Sequence, residues 1–367
     1  MARRGSSGWA GSSRSEFGSL VEGPDPARPG PPTAAAGRTW NRACSSNSRN
    51  GSISLPLAYA RDGLFMLSLW FWVRANRRRI DIPHVHETHW IAGFAGWLGR
   101  RYSIPVAAKI ASIPPFCYIS KTIPLRTRWT AEQKHVHFIA LNPPAQAALL
   151  EAGIPPGQIH VIPNGVTLPE TAAAPAGNRN VLFIGNFSQG RLKAFDILFA
   201  AWKRVQDHLH RHSLPPAKLV MAGGGDAEPW RRMVTGEGMS DSVEFLGYTP
   251  EPEKQILRAA CLVLPSRIEG MSNALLEAMS FGVPAIVSDI PANTCLVTDH
   301  VNGRVVRVED SEALAAAILG LLADEAMRAA LGSAARRTVE TQYEIRAVAT
   351  RLAGLYRELA PRPPELK

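Results

Sequence analysis

Apolar positions recur with two different patterns along most of this chain. Short runs such as Val181 to Gly185 and Cys261 to Pro265 are apolar at nearly every position. Longer segments such as Leu192 to His212 repeat apolar positions every three or four residues. The first pattern predicts strands that are buried on both faces, and the second predicts amphipathic helices. Strands that alternate with helices indicate parallel sheets covered by helices.

This alternation runs from residue 82 to residue 359. The predicted strands are Ile82 to Val85, Pro105 to Ile110, Phe138 to Leu141, His160 to Ile162, Val181 to Gly185, Lys218 to Ala222, Val243 to Leu246, Cys261 to Pro265, Pro284 to Ser288 and Arg304 to Val308. The predicted helices are Ile91 to Tyr102, Pro144 to Ala152, Leu192 to His212, one from Ala227, Pro252 to Ala260, Ser272 to Phe281, Ser311 to Leu322, Glu325 to Val339 and Ile345 to Leu359. Ligands of such sheets bind beyond the carboxyl ends of the strands, so the chemistry is expected in the loops that follow them.

The first 50 residues lack the alternation. They are rich in Gly, Ser, Pro, Ala and Arg, with five prolines between Gly23 and Gly37. Such a segment buries too little apolar surface to offset its ordering entropy, so we predict that residues 1–50 are disordered. No apolar stretch follows the early arginines, which argues against a secretory signal.

One apolar run stands apart, from Leu64 to Val73, with Arg74 and Arg77 to Arg79 behind it. A bilayer needs about 20 apolar residues, so the run is too short to cross one. It is either a buried helix whose terminal cations complement the helix dipole or an anchor lying in a membrane interface.

Composition excludes several classes of protein. Apolar residues make up 46% of the 367 and charged residues 20%, which excludes a disordered or fibrous chain and fits about two domains. The four cysteines are far apart and form no CxxC pair. They argue against a disulfide scaffold and a cysteine-based zinc site, and they favour reduced thiols in the cytoplasm.

The net charge of +10 belongs to the first half of the chain. Residues 1–50 carry +4, residues 51–163 carry +7 and residues 164–367 carry −1. Such a field favours an anionic partner, which could be a membrane surface or a phosphorylated acceptor. No nucleic-acid module is recognisable, so we do not expect a nucleic-acid partner. A solvated basic surface without a partner fits the same charges.

Two candidate residues lie in loops after strands. Lys193 opens a predicted helix, where a cation opposes the dipole unless an anion is near. Gly223 begins a run of three glycines between a strand and a helix. Glycines there let a ligand approach the backbone closely, although a tight turn would also need them.

The segment from Ser266 to Glu277 carries two carboxylates around a predicted helix start. Glu269 falls in the loop and Glu277 in the second turn of the helix, while Ser272 is the expected N-cap. The free amides of the first turn form an anion site. Carboxylates beside it fit a ligand with hydroxyls at both ends and charge in the middle, which describes a nucleotide sugar. Alone, each glutamate could equally be an ordinary helix or surface residue.

These residues resemble a known family, the retaining glycosyltransferases of family 4, which have the GT-B fold. The resemblance covers about Asp81 to Tyr356. Its motifs are IPNGV at Ile162 to Val166, KAFDIL at Lys193 to Leu198, LVMAGGG at Leu219 to Gly225, VEFLGY at Val243 to Tyr248, EGMSNALLEAMSFGVPAIVSD at Glu269 to Asp289 and NGRVV at Asn302 to Val306. All six occur in the family's order.

The resemblance implies two Rossmann-like domains with parallel sheets that face each other across a cleft. It implies transfer of a hexose from a nucleotide-diphosphate sugar to a glycan or lipid-linked acceptor with retention, without a cofactor or an obligatory metal. Glu269 would lie near the sugar, Lys193 would neutralise the diphosphate and Glu277 would hold the ribose hydroxyls. The other substrate-binding candidates are Ser272, Asn273, Ala274, Gly270, Asn186, Arg191 and Gly223.

The chain departs from the family pattern at three places. Asn186 stands where the family usually has Arg, and Arg191 could replace it from the longer loop. Lys109 to Ser112 stand where a His commonly follows a strand; we expect His84, His86 and His89 to be packing or loop residues. The family's first strand and glycine-rich loop are not recognisable, so we expect a truncated N-terminal domain.

The expected organisation has four parts: a disordered segment over 1–50, a partial acceptor-side domain over 51–163, a donor domain over 164–340 and a C-terminal helix, 341–367, that crosses back. The expected activity is that of a glycosyltransferase in the cytoplasm, peripheral at the inner face of the membrane. The alternative is an impaired, truncated relative that binds nucleotide sugars without transferring them.

Overall fold

The computed structural model describes residues 55–86, 90–110, 134–172, 177 and 179–360. Within them the chain forms two separate parallel sheets, one from each half. The prediction of an α/β fold with two Rossmann-like parallel sheets is therefore confirmed. The expectations for residues 1–50 and His89 fall outside the described residues.

The N-terminal sheet has four parallel strands in the order of the chain. They are β1 (His84–His86), β2 (Val106–Lys109), β3 (Val136–Ala140) and β4 (Ile159–Val161). The helices of this half are α1 (Leu55–Asn76), α2 (Trp90–Tyr102) and α3 (Pro143–Glu151). One face of the sheet, with Val106 and Phe138, packs in a buried cluster with Ala95 and Leu149 of α2 and α3.

The C-terminal sheet has six parallel strands. They are β5 (Asn180–Ile184), β6 (Lys218–Ala222), β7 (Val243–Gly247), β8 (Ala259–Leu264), β9 (Ala285–Ser288) and β10 (Arg304–Val306). Their helices are α4 (Phe195–Arg211), α5 (Glu228–Gly236), α6 (Pro252–Ile256), α7 (Asn273–Ser280), α8 (Pro291–Thr294), α9 (Ser311–Ala323), α10 (Glu325–Gln342) and α11 (Ile345–Leu359).

The strand order of this sheet is β10-β9-β8-β5-β6-β7. The chain builds outward from β5 in one direction and then returns to build outward from β8 in the other. The loops after β5 and β8 therefore diverge at a topological switch point, where sheets of this kind leave a crevice for ligands. Every residue of β8 and β9 is buried, as expected for strands covered on both faces.

Helix α11 covers the second face of the N-terminal sheet. The chain reaches it through a backbone bridge in which Val166 N donates to Tyr343 O at 2.9 Å and Ile345 N donates to Val166 O at 3.0 Å. Val348 and Leu355 of α11 then pack in one buried cluster with Ala107 and Ile139 of β2 and β3. The last helix thus ties the second half of the chain to the sheet of the first half.

Two predicted elements need correction, and one helix was missed. The helix predicted from Leu192 begins at Phe195, because buried Ala194 adopts the left-handed conformation with φ +54° and residues 190–194 form a turn. The helix predicted over Pro252 to Ala260 ends at Ile256, since Ala259 and Ala260 already pair in β8. The short helix α8 was not predicted.

Helix α1 is longer than the apolar run that predicted it, and in the part whose side chains are described, residues 63–76, it is covered on one side only. Val73 is 5% exposed, whereas Leu64 and Phe71 are 65% and 61% exposed. Of the two interpretations of the apolar run, the buried helix is therefore wrong. None of the helices in the described part of the chain combines the length and the apolar character that a membrane crossing requires.

Candidate active site at the edge of the C-terminal sheet

Lys193 lies in the loop after β5, at the switch point. A short 3₁₀ turn over Phe187–Gln189 starts this loop, and Lys193 N then donates to Gln189 O at 2.9 Å. Gly190 is required here, because a Cβ at this position would lie 2.3 Å from the indole of Trp230. The turn keeps Lys193 at the sheet edge, ahead of the helix rather than inside it.

Lys193 pairs with Glu269 from the loop after β8. The distance from Lys193 Nζ to Glu269 Oε1 is 2.6 Å, and the Ser266 hydroxyl donates to the same oxygen at 2.7 Å. The two charged side chains are 15% and 8% exposed. Among the described residues no donor contacts Glu269 Oε2. An ammonium and a carboxylate oxygen with spare acceptor capacity therefore meet in the crevice where this fold binds ligands.

Helix α7 begins beside this pair. Ser272 is its N-cap and accepts a hydrogen bond from Leu275 N at 3.3 Å. The amides of Asn273 and Ala274 find no acceptor within the described residues, so they stay available to an anion at the positive end of the helix. The Ser272 cap, the free amides and the Lys193 cation thus lie in loops that follow two neighbouring strands, β8 and β5, at the same edge of the sheet.

Glu277 lies one turn into α7. Its carboxyl is half-buried, and the pKa is raised by this burial and, to a smaller degree, by the charge of Glu253. In the described part of the chain its side chain makes no hydrogen bond and no ion pair, including with Lys193 and Glu269. A partly desolvated carboxylate of this kind is stabilised when hydroxyl groups donate to it.

Gly223 and Asn186 are occupied by local structure. Gly223 has φ +146°, and a Cβ there would lie 1.8 Å from the Gly185 carbonyl oxygen. The glycine is needed for the close passage of two strand ends, which favours the tight-turn interpretation over ligand approach. The Asn186 side chain accepts from Ser188 N at 2.9 Å and caps the 3₁₀ turn. Arg191 is exposed, and its backbone carbonyl accepts from Arg267.

Gly270 is held by the N-terminal half through a residue that the sequence did not indicate. Buried Asn142 caps α3 by accepting from Ala145 N at 2.9 Å, and its Nδ2 donates to Gly270 O at 2.7 Å. Asn164 Nδ2 similarly donates to Asn273 Oδ1 at 2.8 Å. The segment 270–273 therefore lies between the two sheets. The Asn-Pro-Pro sequence at 142–144 is a helix-start signal, but nothing local reveals the second partner.

Tyr248 is another residue that the sequence did not single out. It directly follows β7, after Gly247 with φ +72°, and is 80% exposed. Gly223 N donates to Gly247 O at 2.8 Å, which ties the ends of β6 and β7 together. An aromatic ring with a free face is thus presented on the edge that also carries α7.

His84 and His86 lie elsewhere, on the face of the N-terminal sheet that α11 covers. His84 stacks on His86 with a ring separation of 4.6 Å, and its Nδ1 contacts the Tyr356 hydroxyl. Burial is the main cause that lowers the pKa of His84 to about 4. The part of the chain that the structure describes contains no cluster of three or more His, Cys, Asp or Glu residues able to hold a metal ion.

Two family models match the chain, one in each half. Residues 178–324 match the model described as glycosyl transferases group 1, and residues 27–169 match the model described as Glycosyltransferase Family 4. The second match begins well before Asp81, so the similarity extends further towards the N-terminus than the motifs alone indicated.

Individual relatives agree with these matches. The chain is 29% identical over 204 residues to a phosphatidyl-myo-inositol mannosyltransferase of Mycolicibacterium smegmatis, which covers 53% of this chain and 50% of the relative. It is 25% identical over 297 residues to the Escherichia coli UDP-Gal:alpha-D-GlcNAc-diphosphoundecaprenol alpha-1,3-galactosyltransferase, covering 74% and 73% of the two chains. The chain thus spans about half the length of the first relative.

The fold has solved counterparts. The crystal structure of Anabaena HepE in complex with UDP superposes with a TM-score of 0.68 at 18% identity, covering 78% of this chain and 81% of that chain. At this level of identity the likeness concerns the fold. It agrees with the two parallel sheets described above.

Proposed function

The chain belongs to the group 1/family 4 glycosyltransferases with the GT-B fold, and from this premise we propose that it transfers a hexose from a nucleotide-diphosphate sugar. The acceptor is a glycan or a lipid-linked molecule, and the anomeric configuration of the sugar is retained. The observation that carries the proposal is the Lys193–Glu269 pair at the switch point, 2.6 Å apart. This pair gives the crevice a cation for a diphosphate and a carboxylate for sugar hydroxyls.

Charge development on the leaving group defines the main task of the site. The transition state of glycosyl transfer resembles an oxocarbenium ion, and the departing diphosphate gains negative charge. Lys193 and the free amides of Asn273 and Ala274 would stabilise that charge. Glu269 would accept hydrogen bonds from the sugar through Oε2, while its Oε1 keeps Lys193 in place. No metal is needed for this division of tasks.

Glu277 and Tyr248 would bind the nucleoside. The half-buried Glu277 carboxylate has no hydrogen-bond donor among the described residues, so the ribose hydroxyls would supply the missing partners. The exposed Tyr248 ring offers a surface for stacking on the base.

Calorimetric titration of the full chain with UDP-glucose, UDP-galactose and GDP-mannose tests the donor site. Glu277→Ala should weaken binding of the preferred donor by about 1–3 kcal/mol, the range for losing a hydrogen-bonded partner of a buried polar group. Glu244→Ala is the matched control, because Glu244 is an exposed glutamate on β7. Equal affinity of Glu277→Ala and wild type would contradict the assignment, as would the absence of binding to any donor.

Transfer itself is tested by release of the nucleoside diphosphate in the presence of a membrane lipid extract, with the anomeric configuration of the product read by NMR. Donor binding without release would favour the alternative of a protein that only binds nucleotide sugars. An inverted product would contradict the proposed retention.

We further propose that α1 brings the enzyme to the anionic cytoplasmic face of a membrane. Leu64, Leu67 and Phe71 are 65%, 54% and 61% exposed and recur every three or four residues, so they form one apolar stripe. Arg74 lies on the same side of the helix, one turn after Phe71. Arg77 to Arg79 follow in an exposed 3₁₀ turn that lines an open hollow of about 480 Å³. Apolar side chains beside clustered cations fit a surface of acidic lipids.

Co-sedimentation with vesicles tests this surface. The full chain should bind phosphatidylglycerol-containing vesicles more strongly than pure phosphatidylcholine, and the binding should weaken between low and high salt because Arg–lipid attraction is screened. Leu67→Ser with Phe71→Ser should reduce binding further, whereas Leu214→Ser, which changes an exposed leucine of the other half, should not. Equal binding to both lipids, or none, would contradict the proposal.

A further inference from the structure

Arg267 makes a dense set of hydrogen bonds two residues before Glu269. Its guanidinium donates to both carboxylate oxygens of Asp196, at 2.9 and 2.8 Å, and to both oxygens of Glu309. Its Nη1 also donates to the carbonyl oxygen of Arg191 at 2.6 Å. In addition, the backbone N–H of Arg267 donates to Leu192 O at 2.9 Å.

The acceptors of Arg267 lie on both sides of Lys193 in the chain. The carbonyls of Arg191 and Leu192 precede it, and Asp196 in the first turn of α4 follows it. Arg267 therefore joins the two ends of the turn that presents the ammonium group. Because Arg267 and Glu269 belong to the same loop, the contact also fixes the turn relative to the carboxylate partner of Lys193.

The turn contains a strained residue that needs such support. Ala194 is fully buried and has φ +54°, a conformation that residues with a side chain adopt rarely and at a cost in free energy. Such backbone persists where the surroundings determine it from several directions. Glu309, which Arg267 also holds, has φ +67°. Arg267 thus connects two segments that each contain a non-glycine residue with an unfavourable positive φ.

The bonds of Arg267 are all internal to the protein. A guanidinium has five N–H donors, and the contacts to Arg191, Asp196 and Glu309 use all five. The hydrogen bonds from Arg267 are the main cause that lowers the pKa of the Asp196 carboxyl. No donor is left over for a phosphate. Arg267 therefore does not take the place of the arginine that the family usually has after its strand glycine.

We propose that Arg267 is a positioning residue, which holds the turn of residues 191–196 so that the Lys193 ammonium stays against Glu269. It acts through Lys193 and does not touch the donor. The role of the Lys193 ammonium towards a bound diphosphate rests on the proposed function. The role of Arg267 in positioning Lys193 does not depend on it. The two statements can therefore be tested separately.

The holding is tested without any substrate by trace acetylation of the full chain, with the labelling of each lysine read by mass spectrometry. In wild type Lys193 is 15% exposed and paired, so it should react slowly. Arg267→Gln should raise its labelling severalfold, while the labelling of exposed Lys203 should not change. Arg304→Gln is the matched control, since Arg304 pairs with Asp299 at the opposite end of β10 and is 20% exposed against 27% for Arg267.

Two results would overturn the proposal. One is unchanged Lys193 labelling in Arg267→Gln, and the other is an equal increase in Arg304→Gln, which would indicate general loosening. If Arg267→Gln does not fold, Arg267→Lys replaces it. A single ammonium keeps the charge but cannot reach all three acceptor residues, so Lys193 labelling should lie above that of wild type; wild-type labelling in Arg267→Lys would equally overturn the proposal.

Kinetics with UDP-glucose, or whichever donor the titrations select, test the consequence for transfer. Arg267→Gln should lower kcat about 10- to 100-fold, since displacement of a reacting group by about 1 Å has effects of this size, with a smaller change in KM. In a Lys193→Met background the same substitution should add no further loss of kcat. Additive losses would show that Arg267 does not act through Lys193. If wild type transfers nothing, the proposed function fails while the labelling result still decides the role of Arg267.

Discussion

The two sheets of this protein place their polar residues in different locations. In the C-terminal sheet the central strands β8 and β9 are fully buried, and Lys193 and Glu269 project from loops at one edge. In the N-terminal sheet polar side chains lie on a face. The register pairs His84 with Ala107 and Ala107 with His137, and in the next row His86 with Lys109, so these side chains share one face.

This polar face is also the one that α11 covers. His137 Nδ1 and His160 Nε2 are 3.2 Å apart on neighbouring strands, and burial is the first cause that lowers the pKa of each. Burial likewise lowers the pKa of Lys109, at the end of β2. The apolar contacts of α11 therefore run beside two histidines whose protonation is opposed by burial.

This difference between the two sheets indicates that activity and stability depend on different polar groups. Charges at a sheet edge are open to a ligand and contribute little to holding the sheet together. On the covered face, burial opposes protonation of the histidines, so gaining a proton there works against the packing of the covering helix. Substitutions at the edge should therefore affect transfer, whereas acid should affect the docking of α11.

The largest expected effect is loss of transfer in Lys193→Met. The substitution removes the cation at the switch point while keeping a side chain of similar length. Removing one charge-stabilising donor from an active site lowers kcat by about 10²–10³-fold, which is the expected range here. Measurement of nucleoside diphosphate release checks it, with thermal melting to show that the fold persists.

Lys203→Met is the control for this variant. Lys203 also pairs with a glutamate, Glu237, but both side chains are about half exposed on the surface of the same half. Exposed pairs contribute little, so activity and stability should stay close to wild type. Similar losses in both variants would mean that the pair at the switch point has no special role in transfer.

Much of the C-terminal half could be predicted from the sequence. Its strands are short apolar runs bounded by glycines and prolines, and the order of motifs from Ile162 to Val306 indicated the fold. The same logic placed Lys193 and Glu269 at one edge, since both lie after strands that a parallel sheet brings together, but the ion pair between them was not predicted. These inferences worked because the signal for each element lies within the element.

The features that sequence reasoning missed depend on distant partners. Asn142 has a local signal as a helix cap, but its bond to Gly270 joins residues from opposite halves of the chain. The acceptors around Arg267 come from two distant segments, the turn of residues 191–196 and Glu309 after β10. The sequence left open whether α1 is buried or lies in a membrane interface, because an apolar sequence does not say which of its faces a neighbouring element covers.

A second prediction concerns two glycines, Gly223 and Gly224, in the loop after β6 of the C-terminal sheet. Gly223→Ala should destabilise the protein by about 2–3 kcal/mol, because the new Cβ meets the Gly185 carbonyl oxygen and the residue has a left-handed backbone. Gly224→Ala should change stability by less than about 0.5 kcal/mol, since no atom lies within 4 Å of a Cβ there. Urea unfolding of the two variants measures the difference. Equal stability would contradict the structural role of Gly223.

The smallest expected effect is a loss of stability in mild acid that starts at the N-terminal sheet. The pKa of His84 is about 4 in the folded protein and about 6.5 in an unfolded chain. Between these values the unfolded state binds more protons, so the free energy of unfolding falls as the pH drops from about 6.5 to about 4, while above 6.5 this histidine contributes no pH dependence. Allowing for its partial exposure, His84 should account for about 1–2 kcal/mol.

Hydrogen exchange at pH 7.5 and pH 5 tests where this loss occurs. Exchange should accelerate in α11 and in β1 to β3 before it does in β8 and β9, because only the first group contains or covers the buried histidines. His84→Gln should reduce the pH dependence without abolishing it, since glutamine does not titrate but His137 and His160 remain. His210→Gln, on the exposed surface of α4, should leave it unchanged. If both sheets lost protection together, the acid sensitivity would belong to the whole molecule, and the contrast between a polar edge and a polar face would not explain it.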